Sequence, residues 1–520
     1  MLSLRHLLLT IALTVLVAAP GMAEQQERAS PPAKTESAPA VAPAPVAAAI
    51  PAGLRAILAG AADMPADISG ERAALNKFYA GQNYRPIWVG DGGVTQAGAI
   101  ALDRLLRLDE SGALDLAPLA GAMSARRGDK MPAGLARLEA LISAALVRAA
   151  IDPRDPLAPG PRPQVLASAA AAPAMSRFLD FWLPPDPGFW RLRQAVADYR
   201  AIAAAGGWPL VTPGPRLELG MTGARVDELR RRLIATGDLA AAAGPAGSFD
   251  GAVADAVSRF QNRHGLEPDG VAGKDTIAAL NISAAVRLAS LEANLKRRLG
   301  EARNWGRRYL AVNIAAARYR LVDGGVAVFD EVAIVGLPSW PTPVLSSEVD
   351  RLELNPYWTV PPRIEALELG PAISADPNYM KSHDMEWVDG MIRQRPGPNN
   401  ALGAVKFLFP NAYSVYLHDT NQPKLFQRAE RHLSHGCIRL PNARELAAWL
   451  LRDRADWPRQ RIDEVIATRR NTGVALARGL PVHLHYDTAW VDDDGTVQFR
   501  PDIYGRDSDA PVAELREGSV

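Results

Sequence analysis

The sequence predicts a multidomain α+β protein: a helical scaffold domain, then a small three-helix module, then a mostly-β C-terminal domain carrying an insertion. Three observations lead there. The 520 residues exceed what one hydrophobic core organises, and at roughly 100–200 residues per domain they make about three. Apolar residues recur at helical spacing through the first 300 or so positions and at period two beyond them. The composition, 48% apolar and 22% charged, is that of an ordinary globular chain able to bury a sizeable core.

In chain order, the N-terminus has Arg5, an apolar run from Leu7 to Val17 and the small residues of Gly21-Met22-Ala23. This is the pattern of a secretory leader spanning 1–23, cleaved after Ala23; its apolar run is short of the about 20 residues of a membrane span, and an uncleaved anchor is the alternative. Residues 24–50 are Ala/Pro/Glu/Ser-rich with almost no large apolar side chains and are expected to form a disordered linker. Such a chain is exported, to the periplasm. The scaffold domain is placed at 51–210, where Leu135, Leu138, Leu141, Ile142 and Leu146 form one helical stripe and Leu192, Val196 and Tyr199 another. Pro-rich breaks at Pro153–Pro163 and Pro184-Pro185 predict short helices with long connections, and no catalytic constellation occurs there.

The module is placed at 214–283. It has stripes at Val226, Leu229, Leu233 and at Val253, Val257, Phe260, followed by a turn at Asp269-Gly270. Its Leu219-Gly220, Gly223, Phe249-Asp250, Phe260-Gln261, Gly265-Leu266, Asp269-Gly270-Val271, Gly273 and Thr276 resemble the common peptidoglycan-binding domain, with an Ala/Gly-rich insertion from Ala240 to Gly247 as the departure. The resemblance implies wall binding; a plain spacer is the alternative. From 284 to 507 the pattern, after a helix with Leu288, Leu291, Leu295 and Leu299, becomes β. Leu310, Val312 and Ile314 alternate, a hairpin turns at Asp323-Gly324-Gly325, and β-rich runs follow at Val332–Val335, Tyr413–Leu417 and Pro481–His485. Residues 508–520 form a tail.

Lys plus Arg total 58 against 57 Asp plus Glu, a balance that offers no nucleic-acid-binding surface. An exported chain normally pairs its cysteines, yet this one has a single cysteine, Cys437, within His432-Leu433-Ser434-His435-Gly436-Cys437-Ile438-Arg439. Those neighbours are polar and flexible, as a reactive thiol requires, where a buried structural cysteine would have apolar ones. In Tyr416-Leu417-His418-Asp419 an extended chain puts Tyr416 and His418 on one face. A thiol with pKa near 8.5 needs a base, and imidazole supplies one; Cys437 and His418 are the minimum nucleophilic pair. The carbonyl or the carboxylate of Asp419 is placed to hold the imidazole in one tautomer. Gly436 permits close substrate approach, the amides around Gly436-Cys437 are candidates for an oxyanion hole, and Arg439 shares a face with Cys437. Arg439 grips a substrate carboxylate or serves in a structural ion pair.

His418, fifteen intervening residues and then Ser434-His435-Gly436-Cys437-Ile438-Arg439 resemble the signature of YkuD-type L,D-transpeptidases. Thr342-Pro343, Asn355-Pro356-Tyr357-Trp358-Thr359-Val360-Pro361-Pro362, Pro396-Gly397, Asn400-Ala401-Leu402-Gly403, Lys406-Phe407 and Pro481-Val482-His483-Leu484-His485-Tyr486 extend the likeness to the large Gram-negative members. The resemblance implies Cys437, His418, Asp419, His435 and Gly436 as catalytic residues, with the Asp419 carbonyl as the orienting group. It implies Arg439, Ser434, Tyr416, Trp358 and Asn400 at the substrate, and a capping subdomain at 364–393. The implied reaction takes donor and acceptor peptidoglycan tetrapeptide stems through a thioester to a 3→3 cross-link with release of D-alanine; wall-synthesis proteins are possible partners. Two alternatives stay open: an L,D-carboxypeptidase or endopeptidase using the same Cys/His pair, and a catalytically silent wall-binding protein. No cofactor is called for. A zinc site from His432, His435 and Cys437 is the competing account of these residues, disfavoured because the thiol and base already explain them and no carboxylate base adjoins, so no metal is expected.

Overall fold

The structure, a computed structural model, describes residues 46–508 apart from 111, 113, 115, 153–155, 157, 159, 160, 242–246, 302 and 304. The leader, most of the linker, the tail beyond Ser508 and the heart of the Ala240–Gly247 insertion therefore lie outside the described residues. Among the described residues no single helix is long and apolar enough to cross a membrane.

The scaffold is built from α1 (Val46–Leu58), α2 (Ser69–Gly81), α3 (Gln96–Glu110), α4 (Ala117–Ser124), α5 (Pro132–Ala149), α6 (Gln164–Ala171), α7 (Met175–Trp182) and α8 (Pro187–Ala204). A short hairpin, β1 (Val89–Gly90) with β2 (Gly93–Val94), interrupts it. The leucine stripe of α5 belongs to a helix buried on all sides from Leu138 to Val147, because α1, α2, α3, α4 and α6 pack around it. That burial encloses Glu139, which accepts bonds from the Tyr79 hydroxyl (2.5 Å) and the Ile87, Trp88 and Val89 amides (2.6, 2.8 and 3.1 Å). Burial, only partly offset by those donors, pushes the carboxyl up to about 7. The linker ends earlier than its composition suggested: α1 begins at Val46, and Ile50, which the bulk Ala/Pro content hides, is buried in the scaffold core.

The module folds as α9 (Ala224–Ala235), α10 (Gly251–Arg263) and α11 (Lys274–Leu280), with both apolar stripes and Phe249 in its core. Its signature positions hold this fold together. Asp250 caps α10 by accepting from the Val253 amide at 3.0 Å. The Gln261 carboxamide clamps the Asp269-Gly270 turn, donating to Asp269 and the Val271 carbonyl and accepting from the Gly270 amide.

The expected boundary at 284 is corrected by packing. Leu291 and Leu295 of α12 (Ala284–Glu301) and Ala489, Val491 and Phe499 of the terminal hairpin, β16 (Ala489–Val491) with β17 (Val497–Phe499), join the helical core. Between them lies the sheet domain. Its strands are β3 (Tyr309–Asn313), β4 (Arg318–Asp323), β5 (Val326–Val332), β7 (Leu345–Leu354), β11 (Val405–Leu408), β12 (Leu417–His418), β14 (Ile438–Arg439) and β15 (Thr472–His485). They form one eight-stranded sheet ordered β14-β12-β11-β7-β15-β3-β4-β5, parallel at β14/β12 and β15/β3 and antiparallel elsewhere. Leu352, Leu354, Val405, Phe407, Leu417, Ile438 and Val474 face a core closed by α16 (Ala443–Leu450) and α17 (Arg459–Ala467). A small pair, β6 (Val335–Gly336) with β13 (His432–Ser434), sits beside the sheet.

The insertion is a cap with its own small core of Val360, Ile364, Leu369 and Ile392. It comprises β8 (Trp358–Thr359), β9 (Met385–Val388) and β10 (Met391–Gln394), ordered β8-β10-β9, with α13 (Pro362–Ile364), a π-helical turn over Glu365–Leu369, α14 (Gly370–Ala375) and α15 (Tyr379–Ser382). It reaches back to Trp358, six residues before the expected start at 364, because β10 pairs with β8.

Candidate active site

On β12 and β14, Leu417 pairs with Ile438 and His418 with Arg439, and the leucine and isoleucine are fully buried in the sheet core. Alternation then sends Tyr416, His418, Cys437 and Arg439 to the opposite face. Lys406 of β11 is opposite His418, and Glu353 of β7 is opposite Lys406. One row across four strands therefore reads Glu353, Lys406, His418, Arg439, with Tyr416 and Cys437 one step along it.

The His418 Nδ1–H donates to the Asp419 carbonyl at 2.6 Å. A carbonyl only accepts, so the proton is on Nδ1 and Nε2 carries the lone pair. Of the two orienting groups open at the outset, the carbonyl is the one in contact. The Asp419 carboxylate turns away to accept from the Ala404 and Thr420 amides, each at 2.8 Å, and packs where any side chain at Gly403 would collide. Burial, then the positive charge of Arg439 and to a lesser degree Lys406, drives His418 down to about 3 against the pull of the Asp419 and Leu402 carbonyls. Burial likewise raises the Cys437 thiol, opposed by hydrogen bonds from Tyr416 and the charges of Lys406 and Arg439. The resting pair is thus a neutral thiol and a neutral imidazole. Tyr416 is the neighbour of Cys437 in the strand register, and His418 stands on the same face one register position away.

The loop that presents the thiol is held from within. Gly436 has φ +107°, a backbone that side chains strain, while its missing Cβ would meet nothing nearer than 3.6 Å; conformation alone demands glycine. Ser434 Oγ donates to the Cys437 carbonyl at 2.6 Å and accepts from the Gly436 amide at 3.2 Å. Ser434 is buried, so its expected substrate contact is corrected to a loop brace, and the Gly436 amide is already committed. Asn400 is corrected likewise: it is fully buried, its amide donates to the Pro356 and Arg395 carbonyls at 3.0 Å, and its oxygen accepts from Leu402. His435 points to the cap, its Nε2 2.5 Å from Glu368 and its ring edge-on to Trp340. Trp340 in turn stacks under Arg363 of α13 at 3.7 Å. His435, expected among the catalytic residues, thus joins the thiol loop to the cap. Trp358, half-buried with Trp340 against the cap core, lies at the same junction. Arg439 pairs with no carboxylate among the described residues, unlike a structural ion pair.

Thr342, Lys406, Glu353 and Glu368 had no assigned role. Thr342 Oγ1 donates to the Gly436 carbonyl and accepts from the Gly336 amide, both at 2.9 Å. Period-two parity beside Val405/Phe407 and Leu352/Leu354 marks Lys406 and Glu353 as outward-facing; only the pairing of strands brings them to His418. The histidines considered as ligands are engaged elsewhere: His432 bonds Glu430 and the Ile314 carbonyl. His483 and His485 line a separate cavity of about 130 Å³ with Glu301, Trp305 and Ser346.

Comparison with known proteins agrees with this architecture. Residues 307–475 match the family model described as L,D-transpeptidase catalytic domain, 222–280 the "Putative peptidoglycan binding domain" and 73–196 the scaffold domain. The chain thus carries an L,D-transpeptidase catalytic domain of the YkuD family, joined to a scaffold domain and a peptidoglycan-binding domain. A curated relative, "Putative L,D-transpeptidase" of Haemophilus influenzae, is 34% identical over 225 residues, 39% of this chain and 45% of the relative. The matched part spans less than half of that relative's length. Among solved structures, an L,D-transpeptidase from Mycobacterium smegmatis is 18% identical, with 34% of this chain and 58% of that one covered at a TM-score of 0.21. One from Xylanimonas cellulosilytica is 17% identical, with 53% and 99% covered at 0.19.

Proposed function

We propose that the protein is an exported L,D-transpeptidase that forms 3→3 cross-links in peptidoglycan. The observation that carries the proposal is the row that sets Cys437, His418 and an unpaired Arg439 on one face of the sheet beneath a cap. Arg439 holds the carboxylate of a tetrapeptide stem by a forked pair of hydrogen bonds. Closure over the substrate brings His418 Nε2 to the thiol; the S–H proton passes to it and the sulfur attacks the carbonyl carbon of the third stem residue. With the Gly436 amide taken by Ser434, the neighbouring Cys437 amide is left to meet the oxyanion. The C–N bond to D-alanine breaks, His418 returns the proton to the leaving amine, and a thioester remains. An amine of a second stem attacks the thioester carbonyl and gives a proton to His418; the new C–N bond forms, the C–S bond breaks, and His418 hands that proton to the departing sulfur, restoring the thiol.

Incubating the protein with tetrapeptide-bearing muropeptides and reading the products by mass spectrometry tests this. Wild type should yield cross-linked dimers and free D-alanine. Cys437→Ala should yield neither, and His418→Ala should slow acylation by a few orders of magnitude. Tripeptide without dimers would make the protein an L,D-carboxypeptidase, and dimers from Cys437→Ala would end the cysteine mechanism.

A further inference from the structure

Lys406 is carried on β11 between Glu353 and His418, and its ammonium lies 4.1 Å from the centre of the Tyr416 ring and 4.0 Å from the Glu353 carboxylate. Its side chain is 17% exposed, so little water screens that charge. Four ångströms is the outer limit of an ion pair, and the nitrogen sits over the phenol face instead of being locked to Glu353. Tyr416 in turn stands beside Cys437: Leu417 pairs with Ile438, and the Ile438 amide donates to the Tyr416 carbonyl at 3.1 Å, so the phenol and the thiol are neighbours on one face.

We propose that Lys406 is a positioning residue that acts on the Cys437 sulfur through Tyr416, making the phenol hydroxyl a stronger donor to the thiolate. This rests on the reading of Cys437 as the nucleophile. A cation on the π face draws electron density from the ring and hence from the phenol oxygen, which acidifies the O–H. When the S–H bond breaks, the proton goes to His418 Nε2 and the electron pair stays on sulfur, where the Tyr416 O–H donates to it. In the substrate-free titration the proton leaves to solvent and the thiolate faces a neutral His418, so there the positive field comes from the fixed cations. The groups around the thiol are Tyr416 just before β12 and His418 on it, Lys406 on β11, Glu353 and Arg351 on β7, Arg439 on β14, and His435 with Glu368 on the cap side. Arg439 is the substrate's cation in the proposed reaction; Lys406 is the one directed at the sulfur through an aromatic ring.

The single cysteine makes this measurable without substrate. The rate of iodoacetamide alkylation of the full chain, followed by intact mass from pH 6 to 10, reports the thiol titration. Lys406→Met should raise the apparent thiol pKa by about one unit, slowing alkylation near neutrality about tenfold while leaving the high-pH plateau unchanged. Lys406→Arg should restore most of the neutral-pH rate. Glu353→Gln, which keeps an oxygen for its Asn471 contact, should shift the titration the opposite way. Tyr416→Phe should raise it, and adding Lys406→Met to that variant should add little. No shift in Lys406→Met, shifts of one sign in Lys406→Met and Glu353→Gln, or a lost plateau that Lys406→Arg does not restore would overturn the proposal. Failure of wild type on muropeptides would instead sink the transpeptidase reading and leave this titration standing.

Discussion

Thr342→Val removes one hydroxyl and keeps the shape of the side chain. Thr342 is fully buried, and its Oγ1 bridges the Gly336 amide and the Gly436 carbonyl at 2.9 Å each. The substitution leaves a donor and an acceptor buried without partners, at about 1–3 kcal/mol apiece, so about 2–6 kcal/mol before relaxation. Relaxation is restricted. Gly336 has the Trp340 carbonyl 2.1 Å from where a Cβ would stand, and its own carbonyl is held by the Tyr504 hydroxyl at 2.6 Å. The yielding side is therefore the Gly436 loop, whose positive φ is kept only by such bonds. We expect acylation of Cys437 to slow about 10–100-fold, about 1.4–2.7 kcal/mol in the barrier, with the remainder appearing as lost stability. The rate of adduct formation with a carbapenem, read by intact mass, measures the first; denaturant unfolding measures the second. Thr342→Ser, which retains the hydroxyl, should stay within a few-fold of wild type. A Val variant as fast as wild type, or a Ser variant as slow as Val, would refute the bridging role.

The same adduct, one inhibitor mass on the peptide containing His435-Gly436-Cys437, should vanish in Cys437→Ala, and an adduct on Ser434 would point to a different nucleophile. Glu368→Gln weakens the contact between the cap and His435, and proteolysis should then cut the 358–394 segment faster while the sheet domain stays intact; unchanged cleavage would show that the contact does not hold the cap. Two buried groups give pH effects of opposite sign. His418, held at about 3 against an ordinary 6.5, stays neutral when folded, so its stabilising contribution is complete above 6.5 and is lost as pH falls from there toward 3. Glu139, raised to about 7 from 4.5, contributes fully below 4.5 and loses that contribution as pH rises through 7. Unfolding series in His418→Asn and Glu139→Gln should each lose the corresponding slope, and a slope surviving in either variant would contradict that assignment. Removing 214–283 should expose Phe499, which stacks on His264, and Arg500, which bonds the Arg263 carbonyl, and so should lower stability as well as wall binding; pull-down on insoluble peptidoglycan together with thermal unfolding separates the two losses.

The helical stripes, the module's core and the outward face of Tyr416 and His418 were legible because each follows from a period within one element. The signature around Cys437 was legible because it is local. Less legible were the residues whose role depends on a partner far away in sequence. Asn400 and Ser434 stand among substrate-facing motifs, yet their polar atoms are consumed by nearby backbone groups that only the folded loops bring within reach. The scaffold's extent was misjudged for a related reason: Phe499 joins its core from the far end of the chain.

The sequence by itself determined the order of the domains, the single thiol, the candidate partner His418 and the face that each presents. Side-chain alternation and apolar periodicity are properties of one strand or helix and need no partner to be read. The tertiary structure decided which strands are neighbours, and with them the row of Glu353, Lys406, His418 and Arg439 across four strands whose consecutive members stand as far apart in sequence as Glu353 and Lys406. It also decided the protonation of the pair. Burial and the charges of Lys406 and Arg439 set whether a thiol and an imidazole rest neutral or charged, and both come into being only when the strands of the sheet pair.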